Sequence, residues 1–162
     1  MSIHWTHSDP ENDDVTISVA GVQRRWNPGF DFDLTWYLSG PMSGYENFNY
    51  PYFTQVASVL RRTGVTIQSP HENAMPHDRR NMSPEALWEY MMELCYAQMD
   101  LCGGIILLRG WPQSRGARAE LEIALQRNWP VWYYHDYQLT NMNRDTVQPE
   151  PRLPDPGRGK EV

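Results

Sequence analysis

The chain has 162 residues and a mass of 19.0 kDa, enough for one domain with a substantial core and too little for two ordinary ones. A formal net charge of -6 and a pI of about 5.3 argue against a surface that tracks phosphates, so polymeric nucleic acid is not an expected partner. Seven Trp and nine Tyr supply amphipathic ring area of the kind used in ligand pockets and subunit contacts.

In chain order, "MSIHWTHSDPENDD" lacks a basic segment followed by an apolar run, so neither a signal peptide nor a membrane anchor is expected. "VTISVAGVQ" (Val15–Gln23) alternates apolar and polar residues and reads as a half-buried or edge strand before a turn at Asn27–Gly29. "TWYLSG" (Thr35–Gly40) reads as a strand. After a Gly- and Asn-rich loop, "PYFTQVASVLRRTG" reads as a helix with Pro51 in its first turn and Gly64 at its end. "VTIQSP" (Val65–Pro70) is a second strand. A polar loop carrying His71 and His77 leads to Ser83-Pro84, a cap and first-turn signal for a long helix to about Leu101. "GGIILLRG" is a third strand, apolar throughout as a strand covered on both faces would be. A helix from about Gly116 to Arg127 ends at Asn128, and "PVWYYH" (Pro130–His135) is the fourth strand. From about Thr140 the chain is rich in Pro and charge, with too little apolar surface to order itself.

The alternation predicts an α/β domain whose strands at 35–39, 65–69, 104–108 and 130–134 run parallel in one sheet. Residues 1–34 read as an extension, 35–137 as the domain and 138–162 as a flexible tail. Cys95 and Cys102 lie seven apart in one predicted helix, too far to bridge, and fit reduced thiols in a cytoplasmic protein. Neither has a Cys or His at short ligand spacing, so no metal is expected.

Ligands of parallel sheets sit at the carboxyl ends of strands, near helix N-termini. That rule selects "SGPMSGYENFNYP" and "RGWPQSRGA". In the first, Gly40 and Gly44 permit close backbone approach, and Ser39, Ser43, Asn47 and Asn49 offer neutral hydrogen-bonding groups. They equally suit a turn and a cap. In the second, Ser114 and Gly116 precede a helix whose free N–H groups favour a sugar hydroxyl or a phosphate. Arg115 fits either a 5′-phosphate or solvent, and Trp111 either a base or the sheet edge. On the following helix Ala117, Leu121, Ala124 and Leu125 form the apolar stripe, and Arg118 and Glu122 are spaced as an outward pair. Glu120 falls on the shoulder of the stripe, where a half-exposed carboxylate or a site residue fits equally.

"WYLSGPMSGYENFNYPYF", "GVTIQSP" and above all "LLRGWPQSRGARAELEIAL" resemble a family of small, often phage-encoded domains of unknown function related to nucleoside 2-deoxyribosyltransferases, over roughly Trp36 to Tyr134. The resemblance implies a three-layer, Rossmann- or flavodoxin-like fold with a mostly parallel sheet of four to five strands. It implies Glu120 as the nucleophile, Tyr37 as an active-site tyrosine, Ser114 and Gly116 as the sugar- or phosphate-contacting turn, and Gly40, Pro41 and Met42 as the pocket loop. A carboxylate below an anomeric carbon either stabilises an oxocarbenium-like cation or forms a glycosyl ester, and a second acid serves the leaving base. Where relatives carry that acid before the third strand this chain has Gly103. Glu93, ahead of Asp100, is the chosen substitute. The resemblance thus implies an N-glycosidase or deoxyribosyltransferase acting on a nucleoside or nucleoside 5′-monophosphate, without cofactor, in a homo-oligomer in the cytoplasm of a bacterium or phage-infected host. The alternatives are a non-catalytic nucleotide-sensing domain and a phage-encoded protein that binds a host partner.

Overall fold

The computed structural model describes residues 4–5, 17–18, 29–142 and 147. Two short strands, β1 (His4–Trp5) and β2 (Ile17–Ser18), pair antiparallel in a ribbon of their own. The edge strand expected over 15–23 is therefore a two-residue strand in a separate ribbon, and the rest of that stretch lies outside the described residues. The main sheet contains β3 (Thr35–Ser39), β4 (Thr66–Gln68), β5 (Gly104–Leu107), β6 (Val131–His135) and β7 (Gln138–Asn141), in the spatial order β4-β3-β5-β6-β7. β3 to β6 are parallel, as the strand and helix alternation predicts; β7 returns antiparallel on β6.

Three helices connect the parallel strands: α1 (Tyr50–Arg62), α2 (Pro84–Met99) and α3 (Arg115–Gln126). The period-two alternation of the strands sorts their side chains between two layers. Trp36 and Leu38 of β3 and Ile106 of β5 join Phe53, Val56 and Leu60 of α1 on one face. Tyr37, Ile105, Leu107 and Val131 join Cys95 and Met99 of α2 and Ala117, Leu121 and Ala124 of α3 on the other. The result is a three-layer α/β domain. Trp36 lies so flat across the neighbouring strand that a Cβ at Gly104 would come within 2.4 Å of its ring, a close approach only glycine permits.

The helix ends follow their sequence signals. Ser83 and Ser114 accept from the backbone N–H of Ala86 and Ala117, both at 3.1 Å. Asn128, at φ 57, closes α3: its N–H bonds Leu125 O and that of Trp129 bonds Ala124 O.

Two boundaries move. The tail expected from 138 gives way to β7, reached by a two-residue turn in which Asp136 and Tyr137 both have positive φ. Such turns ordinarily carry Asn-Gly or Asp-Gly, so "HDYQL" lacks the usual hairpin signal. Val147 is buried in the α2/α3 layer; the remaining residues from 143 lie outside the described set. At the other end the core starts before 35, since Phe30 stacks on Trp36 at 4.4 Å and meets Trp132 edge-on at 5.2 Å.

Candidate functional site

The chain runs from β3 through α1 to the outer strand β4, then back across β3 to β5, so the sheet order reverses between β3 and β5. Above the carboxyl ends of such a pair the connecting segments diverge and leave a crevice. Here that crevice is a cleft of about 270 Å³ walled by the loop after β3, by α2, and by the first turn of α3.

Glu120 forms its floor. The residue is 4% exposed, with Tyr37 Oη donating to Oε2 at 2.5 Å and Ser39 Oγ donating to Oε1 at 2.7 Å. Tyr37 and Ser39 alternate with Trp36 and Leu38 along β3, so the period that sends two large apolar side chains to α1 sends two hydroxyls to the carboxyl. Burial raises the Glu120 pKa from 4.5 to about 7, opposed by hydrogen bonds from Tyr37, Ser39 and Cys95. Burial, and then the Glu120 charge, push the Cys95 thiol up to about 12 and hold the Tyr37 phenol well above its ordinary range. Both therefore stay protonated at neutral pH, as donors to a group poised between its two charge states.

The half-exposed position open to Glu120 from helical periodicity is replaced by a buried one. α3 lies over β3 and β5, and the hydroxyls of Tyr37 and Ser39 make the shoulder of its stripe a polar spot inside the core. Gly40, Met42, Gly44, Ser114 and Gly116 line the cleft as the two loops suggested. The Ser114 hydroxyl also caps α3.

Other residues are placed elsewhere. Pro41 is buried and does not line the cleft, its carbonyl accepting from Asn49 Nδ2 at 3.0 Å. Trp111 does not line the cleft: a 3-10 turn folds it into the core beside Ala117 and Leu121, where it covers the sheet. Arg115 does not line the cleft: it makes two hydrogen bonds to Glu85 at 2.7 and 2.9 Å, with its guanidinium 3.6 Å from the centre of the Trp88 ring. Arg118 donates to Pro112 O at 3.3 Å. Glu93 lies exposed on α2 and does not reach the cleft, because the face of α2 that does is offset from it by half a turn. Asp100 is also exposed and pairs with Arg127 at 2.9 Å. His77 is exposed, and His71 bonds Ser69 Oγ and faces a shallow groove beside α1.

The sequence reasoning missed the wall. Leu87, Trp88, Met91, Met92 and Cys95 recur along one side of α2 and all line the cleft, yet of these only Met92 and Cys95 are buried. An apolar stripe wider than a helix needs for its core contact was the available signal. Opposite it stands Phe48, within three consecutive non-glycine residues of positive φ, Asn47, Phe48 and Asn49. Such backbone is costly and concentrates at ligand sites. The Tyr50 hydroxyl at the start of α1 is buried without a hydrogen-bond partner among the described residues.

Among the described residues no three His, Cys, Asp or Glu side chains gather as metal ligands, and no helix is long and apolar enough to cross a membrane.

Fold and site together define a three-layer α/β domain with a buried carboxyl at the switch point of its sheet. The chain belongs to the family described as domain of unknown function DUF4406, whose model matches residues 34–133. That span contains every residue of the cleft. Among solved structures the chain is similar to a conserved protein from Enterococcus faecalis V583, at 19% identity and a TM-score of 0.47; the match covers 63% of this chain and 64% of that one. No curated protein sequence matches the chain.

Proposed function

We propose that the domain cleaves or exchanges the N-glycosidic bond of a small nucleoside, with Glu120 as nucleophile. The observation that carries this reading is the Glu120 carboxyl, buried at the floor of an open-mouthed cleft and held by two hydroxyl donors. In its anionic form one oxygen would bond the anomeric carbon while the C–N electron pair leaves with the base, which takes a proton from water. Water, or a second base, would then displace the glycosyl ester and return the carboxylate. Tyr37 and Ser39 would orient the carboxylate. With Arg115 engaged by Glu85, no cation among the described residues lines the cleft, which favours a nucleoside over its 5′-monophosphate. The sequence pattern around Glu120, resembling that of nucleoside 2-deoxyribosyltransferases, supports the same reading.

One observation favours a second reading, a domain that binds the ligand without cleaving it: Glu120 is the sole acid among the described residues lining the cleft, so the leaving base has no second acid beside it. Incubation with a panel of nucleosides, nucleoside monophosphates and NAD, followed by chromatography of released base, separates the two. Base release by the wild type, lost by at least about a thousandfold in Glu120→Gln, supports the glycosidase. Binding without any release supports the second reading.

A further inference from the structure

The cleft has two unlike parts. Its floor carries the ionisable group; its wall is built of rings and thioethers. Four of the chain's eight methionines, Met42, Met75, Met91 and Met92, line it together with Trp88 and Phe48. A thioether is polarisable and adaptable, and it donates no hydrogen bond. Base edges are read by groups that both donate and accept in fixed patterns, typically Asn, Gln, Asp, Glu or Arg. Among the described residues no Asn, Gln, Asp, Lys, Arg or His lines this cleft. The Tyr50 hydroxyl is shut off from the open space, the Ser114 oxygen already accepts from the Ala117 N–H, and Ser43 stands exposed.

Trp88 is the one large ring of the α2 wall, and it is held in place. The Arg115 guanidinium lies 3.6 Å from its ring centre and is fixed in turn by two hydrogen bonds to Glu85. Arg115 thus joins the N-terminal turns of α2 and α3 across the indole. A cation and an aromatic face attract, and a planar guanidinium stacks well. The cleft volume, about 270 Å³, stands at the lower end of the roughly 300–1,000 Å³ common for small-molecule sites, and so suits a single nucleoside, not a dinucleotide.

We infer that the cleft recognises the aglycone of its ligand by shape and by stacking on Trp88, with Arg115 as the residue that positions the indole, and not by hydrogen bonds to the base edge. Its ligands are then uncharged N-glycosides of flat aromatic heterocycles, whether purine, pyrimidine or a ring stripped of edge groups. This rests on the nucleoside reading of the cleft and names the ligand class within it.

The test is equilibrium binding by calorimetry to wild type and Glu120→Gln, using 2′-deoxyadenosine, thymidine, the 2′-deoxyriboside of benzimidazole and free 2-deoxyribose. The three glycosides should bind within about fivefold of one another and the bare sugar at least about tenfold more weakly, because stacking tolerates any π-face. Trp88→Ala should weaken all three glycosides by a common factor of about ten or more, Trp88→Phe should recover most of that loss, and Arg115→Ala should weaken them about two- to fivefold. A benzimidazole glycoside bound more than about tenfold below the natural nucleosides would show that edges are read, and would overturn the inference. So would a folded Trp88→Ala protein with unchanged affinities, or no binding of any glycoside. Binding as described without base release would leave the inference standing and remove only the catalytic reading.

Discussion

The two faces of the sheet are built from the same strands and do different work. On the α1 face β3 presents Trp36 and Leu38 to a layer of aliphatic and aromatic side chains, where Phe30, Trp36 and Trp132 form an aromatic cluster. On the opposite face the alternate residues, Tyr37 and Ser39, meet Glu120, and a carboxyl with a pKa of about 7 stands within the second layer. One face gains free energy by burying area; the other gives some up to hold a titrating group out of water. Placing both on one five-residue strand ties the geometry of the site to the best-packed part of the core.

The comparison would break most visibly at Trp36 and Glu120. Trp36→Ala should destabilise the domain by about 3–5 kcal/mol, since a fully buried indole leaves a cavity its neighbours cannot fill. Glu120→Gln should keep the fold and, at pH 8, equal or exceed the wild type in stability. Chemical denaturation of both variants checks this, and a Glu120→Gln domain that unfolds like Trp36→Ala would make Glu120 a structural residue.

The pH dependence sharpens the difference. Burial raises the folded-state pKa of Glu120 from 4.5 to about 7, so folding favours the protonated acid. The stability this contributes is complete below about pH 4.5 and is lost as pH rises through about 7. Between those limits the wild type should lose roughly 3 kcal/mol relative to Glu120→Gln, and denaturant midpoints across that range measure it. If the carboxylate is the nucleophile, kcat/KM for base release should rise through the same pH region.

A smaller effect is expected at Tyr37. Tyr37→Phe removes a donor to the carboxylate, so the pKa of Glu120 should rise further and the rising limb of the pH profile should move to higher pH, with about 1–2 kcal/mol lost at alkaline pH. A profile that stays in place would separate Tyr37 from the titration. The smallest change belongs to Arg115, whose ion pair with Glu85 is more than half exposed on both sides. Arg115→Ala should leave the thermal unfolding midpoint close to that of the wild type, because an exposed ion pair is screened by water and salt.

The sequence by itself determined the order of the four parallel strands and the three helices between them, the serine caps and two of the loops that line the cleft, but not β7. These follow from local rules: period-two and period-3.6 apolar patterns, Ser before a helix, Gly or Asn after one, and the carboxyl-end rule for parallel strands. Glu120 stood out through its neighbours in the Gly-Trp-x-x-Ser-x-Gly-Ala-x-x-Glu run, and Ser114 and Gly116 through the turn they make. Only the tertiary structure decided which side chains share the cleft. Helical periodicity left Glu120 at the margin between water and core, and the hydroxyls of Tyr37 and Ser39, more than eighty residues earlier, brought it inside. Glu93, Trp111 and Arg115 have the chemistry of site residues, but the roll of α2, the 3-10 turn at Trp111–Gln113 and the bond to Glu85 direct them elsewhere. Long-range packing sets those directions, and spacing along the chain does not encode it.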